Sequence, residues 1–436
     1  MCSRTHRSYV VACTLFAVIL SAAPAFGVRK KPPPPAISGV DHIVVVMMEN
    51  RSFDHLLGWL PNADGKQAGL TYTDSAGTSF LTAPLGVGSL TPDYMGCGHP
   101  DPDHSWQGGR IEYDNGAMDG FLRAGQNDQY AIGYYVEPDR PFFSALARNY
   151  TTCDRFFASI MAETYPNRIF QHAAQTDRLS NTLDFSTLPT IWDRLAEEGV
   201  SANYYFSDVA FLWLWGAKYV PIMRTYDQFL ADAQAGTLPS VAFVDPRFVD
   251  EASGTSGDDH PHADIRVGDA FLAETFQAVA TGPNWPHTVF IVTYDEWGGF
   301  FEHVPPPRAA APNAVDPDLA SGKALLGMRV PVVVASPFSR GDSVNPRVVS
   351  QIFDHTSVLK LIEWRWHLRP LTARDASTDV GNLLEALDLM HPNAAVPALP
   401  EPAIPVVIPC GLTALQSNEL PLSAIQQLAP PGSVIP

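Results

Sequence analysis

The stretch His42-Ile43-Val44-Val45-Val46-Met47-Met48-Glu49-Asn50-Arg51-Ser52-Phe53-Asp54 decides how this chain is read. Residues 43–48 are an unbroken apolar run, rich in β-branched side chains, that stops abruptly at Glu49 and Asn50. A short apolar run with no polar alternation predicts a strand buried on both faces, and therefore a parallel sheet covered by helices. In such sheets ligands sit just outside the carboxyl ends of the strands. Glu49 and Asn50 stand at that place, and a carboxylate beside an amide oxygen suits a hard cation. The same two residues also suit a helix cap and a dipole-complementing acid ahead of the helix expected over residues 52–60. The rest of the chain must choose between the two.

A second run, Thr288-Val289-Phe290-Ile291-Val292-Thr293-Tyr294, repeats the pattern and ends in Asp295-Glu296-Trp297-Gly298-Gly299. Two buried strands that both end in oxygen ligands make a shared metal site the better reading, and the glycines allow close backbone approach. Further strands are expected from residue 204 and over 240–244 and 330–335, and residues 151–158 read as a strand or turn. Helices are expected over 142–149, 191–198, 226–235, 268–281 and 350–367. The aromatic residues 211–215 read as core or cleft wall. Strands alternating with helices give an α/β protein.

Three further positions carry candidate chemistry. Thr164 precedes Pro166, which suits a helix's first turn; its hydroxyl serves either as a cap or as a nucleophile with phosphate held at the helix N-terminus. His104 lies in Asp101-Pro102-Asp103-His104, within the irregular residues 62–139. His260 lies in the polar loop Gly257-Asp258-Asp259-His260-Pro261-His262-Ala263-Asp264.

Composition sets the outer limits. The 436 residues carry a formal net charge of −18, with 46% hydrophobic and 17% charged residues. A large core is expected and global disorder is not. The acidity argues against a nucleic-acid partner and against electrostatic docking to anionic lipid. Residues 1–27 read as a Sec-type signal peptide, with Arg4 and Arg7 ahead of an apolar stretch too short to span a membrane, so a secreted or periplasmic protein is expected. A linker (28–39), a catalytic domain (40–390) and a Pro-rich tail (391–436), wrapping or flexible, follow. Export permits two of Cys97, Cys153 and Cys410 to pair, without indicating which.

Taken together, Glu49-Asn50-Arg51-Ser52-Phe53-Asp54, Thr164-Tyr165-Pro166-Asn167-Arg168, Asp258-Asp259-His260-Pro261, Tyr294-Asp295-Glu296-Trp297-Gly298-Gly299 and Asp354-His355-Thr356-Ser357-Val358 resemble, in order, the motifs of a phosphoesterase family. That family contains bacterial and plant non-specific phospholipases C and a group of bacterial acid phosphatases. The resemblance implies an alkaline-phosphatase-like three-layer α/β/α sandwich with a mostly parallel central sheet. It implies a divalent metal on Glu49, Asn50, Asp295 and Glu296, and oxygen ligation favours Ca, Mg or Mn over Zn. It implies a nucleophilic Thr164 and phosphate-contacting His104 and His260, with His303 as a further substrate contact. Asn50 also falls among the substrate-contacting positions. Two residues depart from the family pattern: Trp297 stands where His is frequent and Glu302 where Asp is common.

The function expected is an exported, metal-dependent phosphoesterase of phospholipase C type. The alternatives are an acid-phosphatase-type phosphomonoesterase and a non-catalytic binding protein on the same scaffold. The expected partner is a phospholipid or small phosphoester, with at most transient contact to a membrane surface.

Overall fold

The computed structural model describes Met1 and residues 33–411 and 419–430; the expected signal peptide after Met1 and the start of the linker lie outside these residues. The strand read from the opening stretch is β1 (His42–Met48). The other strands of its sheet are β2 (Thr151–Cys153), β3 (Ala202–Phe206), β4 (Met223–Thr225), β5 (Val241–Asp245), β6 (Thr288–Tyr294), β7 (Val333–Ala335) and β8 (Arg347–Val349). They form one eight-stranded sheet in the order β8-β2-β7-β6-β1-β5-β3-β4. β7 pairs antiparallel with both neighbours, while the remaining pairings are parallel. Every residue of β5 and β6 is buried, as is all of β1 after His42, as a sheet covered on both faces requires.

The main helices are α1 (Phe53–Leu57), α2 (Trp106–Tyr113), α3 (Pro141–Asn149), α4 (Thr164–Ala173), α5 (Ile191–Glu197), α6 (Tyr226–Ala235), α7 (Ile265–Thr281) and α8 (His355–Trp366). α7 packs against α3 and α6, whereas α4 packs against α5 and α8. These two groups make the outer layers, so the α/β/α sandwich expected from the sequence is the fold observed.

Several boundaries moved, each for a local reason. α8 begins at His355 and not at residue 350, because Asp354 caps it by accepting from the Thr356 N–H; it stops at Trp366, where His367 turns left-handed with φ 58°. The strand expected over 330–335 is only Val333–Ala335. The irregular residues 62–139 contain α2, whose cap is Ser105. The aromatic residues 211–215 lie within a 3₁₀ helix, Phe211–Ile222, buried in the main core.

The tail carries no helix or strand from residue 391 to 411, but it is tied down. Cys410 forms a disulfide with Cys97, leaving Cys153 as a buried free thiol in β2. A 3₁₀ helix, Leu422–Leu428, then returns to the core with Leu422 and Ile425 buried.

Candidate active site

The strand register assembles the site. Met48 of β1 pairs with Tyr294 of β6, so the chain leaves both strands at the same level and sets Glu49 beside Asp295. Backbone hydrogen bonds lock the two exits together: Asp295 N–H donates to the Met48 carbonyl (3.2 Å) and Arg51 N–H to the Glu296 carbonyl (3.0 Å). Asn50 sits in the left-handed region with φ 55°, a conformation that Asn tolerates better than most residues and that concentrates at functional sites. Its N–H donates to Asp295 Oδ1 across 3.0 Å. Gly298, itself at φ 63°, packs its Cα against the Asn50 carbonyl, where a Cβ would collide.

Asp295 is the organiser of this corner. Its Oδ1 accepts from the Asn50 and Glu296 N–H groups, and its Oδ2 from Arg168 Nε at 3.0 Å. Arg168 extends from α4 and also reaches Asp245, the last residue of β5, at 3.4 Å. Burial raises the Asp295 carboxyl against the opposing pull of Arg168. Arg168 was not singled out from the sequence as a site residue. Its signal was present in Thr164-Tyr165-Pro166-Asn167-Arg168, since an arginine on the wholly buried face of a helix requires acidic partners.

Thr164 is the first residue of α4, and Glu163 rather than Thr164 occupies the cap position. The threonine hydroxyl is therefore released from capping and donates to Glu49 Oε1 across 3.3 Å.

His104 completes the group. Its Nδ1 lies 2.7 Å from the Pro102 carbonyl, which can only accept, so Nδ1 carries a proton and Nε2 faces the site. Nε2 lies 3.0 Å from Asn50 Nδ2, 3.0 Å from Glu419 Oε2 and 3.8 Å from Glu296 Oε1. Burial opposes a charged ring, but Glu419 and Glu296 outweigh it and hold the imidazole well above its usual pKa. His260 behaves oppositely. Burial pushes it down to about 3, although Asp101 stands 3.6 Å from its Nε2. Asn50 Nδ2 also contacts Glu296 Oε1.

The donors fit a hard divalent cation. Glu49 Oε2 and Asn50 Oδ1 are buried and have no hydrogen-bond partner, which is costly unless something else supplies one. Glu49 also converges with Glu251 and Asp258, their ligand oxygens lying within 4.8 Å of one another. Burial first, and then those two neighbours, raise the Glu49 carboxyl well above its ordinary range. Glu251 was not read from the sequence as a site residue; its contribution depends on a loop that returns to Glu49 only in the fold.

His303 is placed elsewhere. Its Nδ1 is 2.5 Å from Asp54 Oδ2 and its Nε2 3.3 Å from Asp64 Oδ1, in a group neutralised by Arg329, which also binds Glu302 at 2.6 Å. None of the His303 hydrogen bonds or ion pairs among the described residues reaches Glu49, Asn50, Thr164, Asp295 or Glu296. Its placement as a substrate contact is thus not supported by the geometry. Glu302 acts as the buried partner of Arg329. Trp297 is fully buried, its indole N–H donating to Glu112 Oε2 at 2.7 Å.

The chain is similar to known phospholipases C. Non-specific phospholipase C1 of Arabidopsis thaliana is 30% identical over 404 residues, covering 85% of this chain and 75% of that protein. Phospholipase C A of Mycobacterium tuberculosis (strain CDC 1551 / Oshkosh) is 30% identical over 439 residues, covering 86% and 82%. Among solved structures, a protein in the alkaline phosphatase superfamily from Vibrio parahaemolyticus matches with a TM-score of 0.39 at 9% identity, covering 78% of this chain and 69% of that one. The Phosphoesterase family model matches residues 40–369, and the chain belongs to that family.

Proposed function

We propose that this protein is an exported, metal-dependent phosphoesterase of phospholipase C type that uses Thr164 as its nucleophile. As a family member the chain is a hydrolase of phosphoric ester bonds. The observation that carries the finer reading is the Thr164 hydroxyl, freed from capping at the N-terminus of a buried helix and hydrogen-bonded to Glu49. A helix N-terminus favours an anion, so the phosphoryl group and the nucleophile are drawn to one place.

Glu49, Asn50, Asp295 and Glu296 would hold the divalent ion, with Ca, Mg or Mn favoured over Zn by the all-oxygen donors. When bound, such an ion supplies Lewis-acid polarisation of the phosphoryl oxygens and neutralises the crowded carboxylates. The remaining steps belong to the chain's own residues. Thr164 Oγ1 attacks phosphorus as the bond to the leaving alcohol breaks, and Glu49 Oε1 is the acceptor for the hydroxyl proton. His104, oriented by Pro102, presents Nε2 as the group that protonates the departing oxygen. Water then attacks phosphorus and frees Thr164. His104, left neutral by protonating the alcohol, takes that water's proton, and Glu49 returns the hydroxyl proton to Thr164; His260, kept neutral by burial, stays beside Asp101. Arg168 does not touch the reacting atoms; it fixes Asp295 and through it the Asn50 backbone.

Export is supported by the Cys97–Cys410 disulfide, which needs an oxidising compartment. The test is turnover of the mature protein on phosphatidylcholine in mixed micelles and on p-nitrophenyl phosphate, each with and without chelator. Release of diacylglycerol, abolished by chelator, is expected. Hydrolysis of the monoester alone would make the enzyme an acid-phosphatase-type phosphomonoesterase. Chelator-resistant turnover would remove the metal from the proposal.

A further inference from the structure

The candidate site is closed. Thr164 and His104 are each only 2% exposed, and Glu49, Asn50, Asp295 and Glu296 are buried as well. A phosphoester cannot reach Thr164 unless something moves. The C-terminal segment is bonded to residues that surround it. Tyr165, next to the nucleophile, donates its hydroxyl to the Pro421 carbonyl at 2.7 Å. Asn181, whose side chain accepts from the Tyr165 N–H, donates to the Leu420 carbonyl at 3.1 Å. Leu422 N–H donates to Glu251 at 3.2 Å. Glu419, with a side chain 13% exposed, brings its carboxylate to 3.0 Å from His104 Nε2.

Two anchors hold this segment. One is the disulfide from Cys410 to Cys97, on the same loop that carries His104. The other is the 3₁₀ helix Leu422–Leu428, whose Leu422 and Ile425 are buried and which packs on the Phe211–Ile222 helix. Glu419 sits between them in the chain, its carboxylate on the histidine nitrogen that also faces Asn50 and Glu296. A carboxylate and a phosphoryl group offer His104 the same thing, an anionic oxygen acceptor.

We propose that residues 419–428 form a tethered strap that occludes the active site, with the Glu419 carboxylate standing where a phosphate oxygen of the substrate binds His104. The strap rests on the phosphoesterase reading of the site. Substrate must displace Glu419 to engage His104, so the strap lowers the affinity of the resting enzyme for phosphate and for phosphoesters alike.

The test measures inorganic phosphate binding by calorimetry and p-nitrophenyl phosphate kinetics on the metal-loaded full chain. It compares the parent with Glu419→Ala and with the paired Cys97→Ser/Cys410→Ser variant, each checked for an intact thermal transition. The strap predicts that Glu419→Ala tightens phosphate binding and lowers KM by about tenfold, the scale of one charge-assisted contact, with kcat maintained. The cysteine variant, which keeps Glu419 but loosens its tether, shifts both in the same direction by a smaller factor. Unchanged phosphate affinity in Glu419→Ala, or a fall in kcat with KM unmoved, overturns the strap and makes Glu419 part of the machinery. If parent and variants alike bind no phosphate and turn over no phosphoester, the phosphoesterase reading itself fails and the strap falls with it.

Discussion

Thr164 Oγ1 and Glu49 Oε1 stand 3.3 Å apart although 115 residues separate them in the chain. The contact exists because α4 begins where β1 ends, and because Glu163, not Thr164, holds the helix cap. Thr164→Ala is expected to lower kcat by at least ~10³-fold, as loss of a nucleophile does. Metal content measured by mass spectrometry should be retained, because the carboxylates are untouched. Thr164→Ser keeps a hydroxyl and should keep measurable turnover. Unaltered kcat in the alanine variant would take Thr164 out of the mechanism.

Arg168 is buried between Asp295 and Asp245 and lends a cation to both. Removing it strands two buried carboxylates. Arg168→Ala should destabilise the fold by ~3–5 kcal/mol, the cost of breaking a buried ion pair from one side. Urea unfolding measures this directly; a change below about 1 kcal/mol would mean that the carboxylates find other neutralisation.

Gly298 is a sharper probe of the site's backbone. At φ 63° and in contact with the Asn50 carbonyl, it has no room for a Cβ. Gly298→Ala should cost on the order of 2 kcal/mol and lower activity with it, since relief of the clash displaces Asn50. A variant with lowered stability but full activity would show that Asn50 tolerates the shift.

Glu363 on α8 offers a pH test away from the site. Burial first, and then Asp375, push its carboxyl up to about 9, and Oε1 has no hydrogen-bond partner. A carboxyl whose folded pKa is raised contributes its full stability below the unfolded value and loses it as pH climbs toward the folded one. Glu363→Gln mimics the protonated form. Its thermal midpoint should match the parent near pH 4 and exceed it increasingly up to pH 9. A pH-independent difference would show that Glu363 is not titrating in the fold.

Much of this architecture was legible in the chain because its signals are local. The apolar runs of β1 and β6 announce burial, and the residues that end them announce what the sheet edge presents. Thr164 was visible ahead of Pro166, although its release from capping depended on Glu163 taking the cap. What could not be read were relationships that only the fold creates. Arg168 looks like any helix arginine until Asp295 and Asp245 converge on it. Glu251 and Asp258 lie apart along the chain and approach Glu49 only through the β5–α7 loop. Glu419 sits in a Pro-rich tail with no periodicity, and nothing near it in sequence points to His104. His303 follows a site motif closely, yet its ring pairs with Asp54 and Asp64, a relationship that only the fold creates.

The Cys97–Cys410 bond joins residues 313 positions apart. Cys153 is far nearer to Cys97 along the chain than Cys410 is, yet it is the buried, unpaired thiol. With β2 docked between β7 and β8, Cys153 is buried, and of these three cysteines Cys97 and Cys410 are the two that meet. A mutation that loosens β2 within the sheet would free Cys153 to compete for Cys97 or Cys410, so mispaired disulfides are its expected signature.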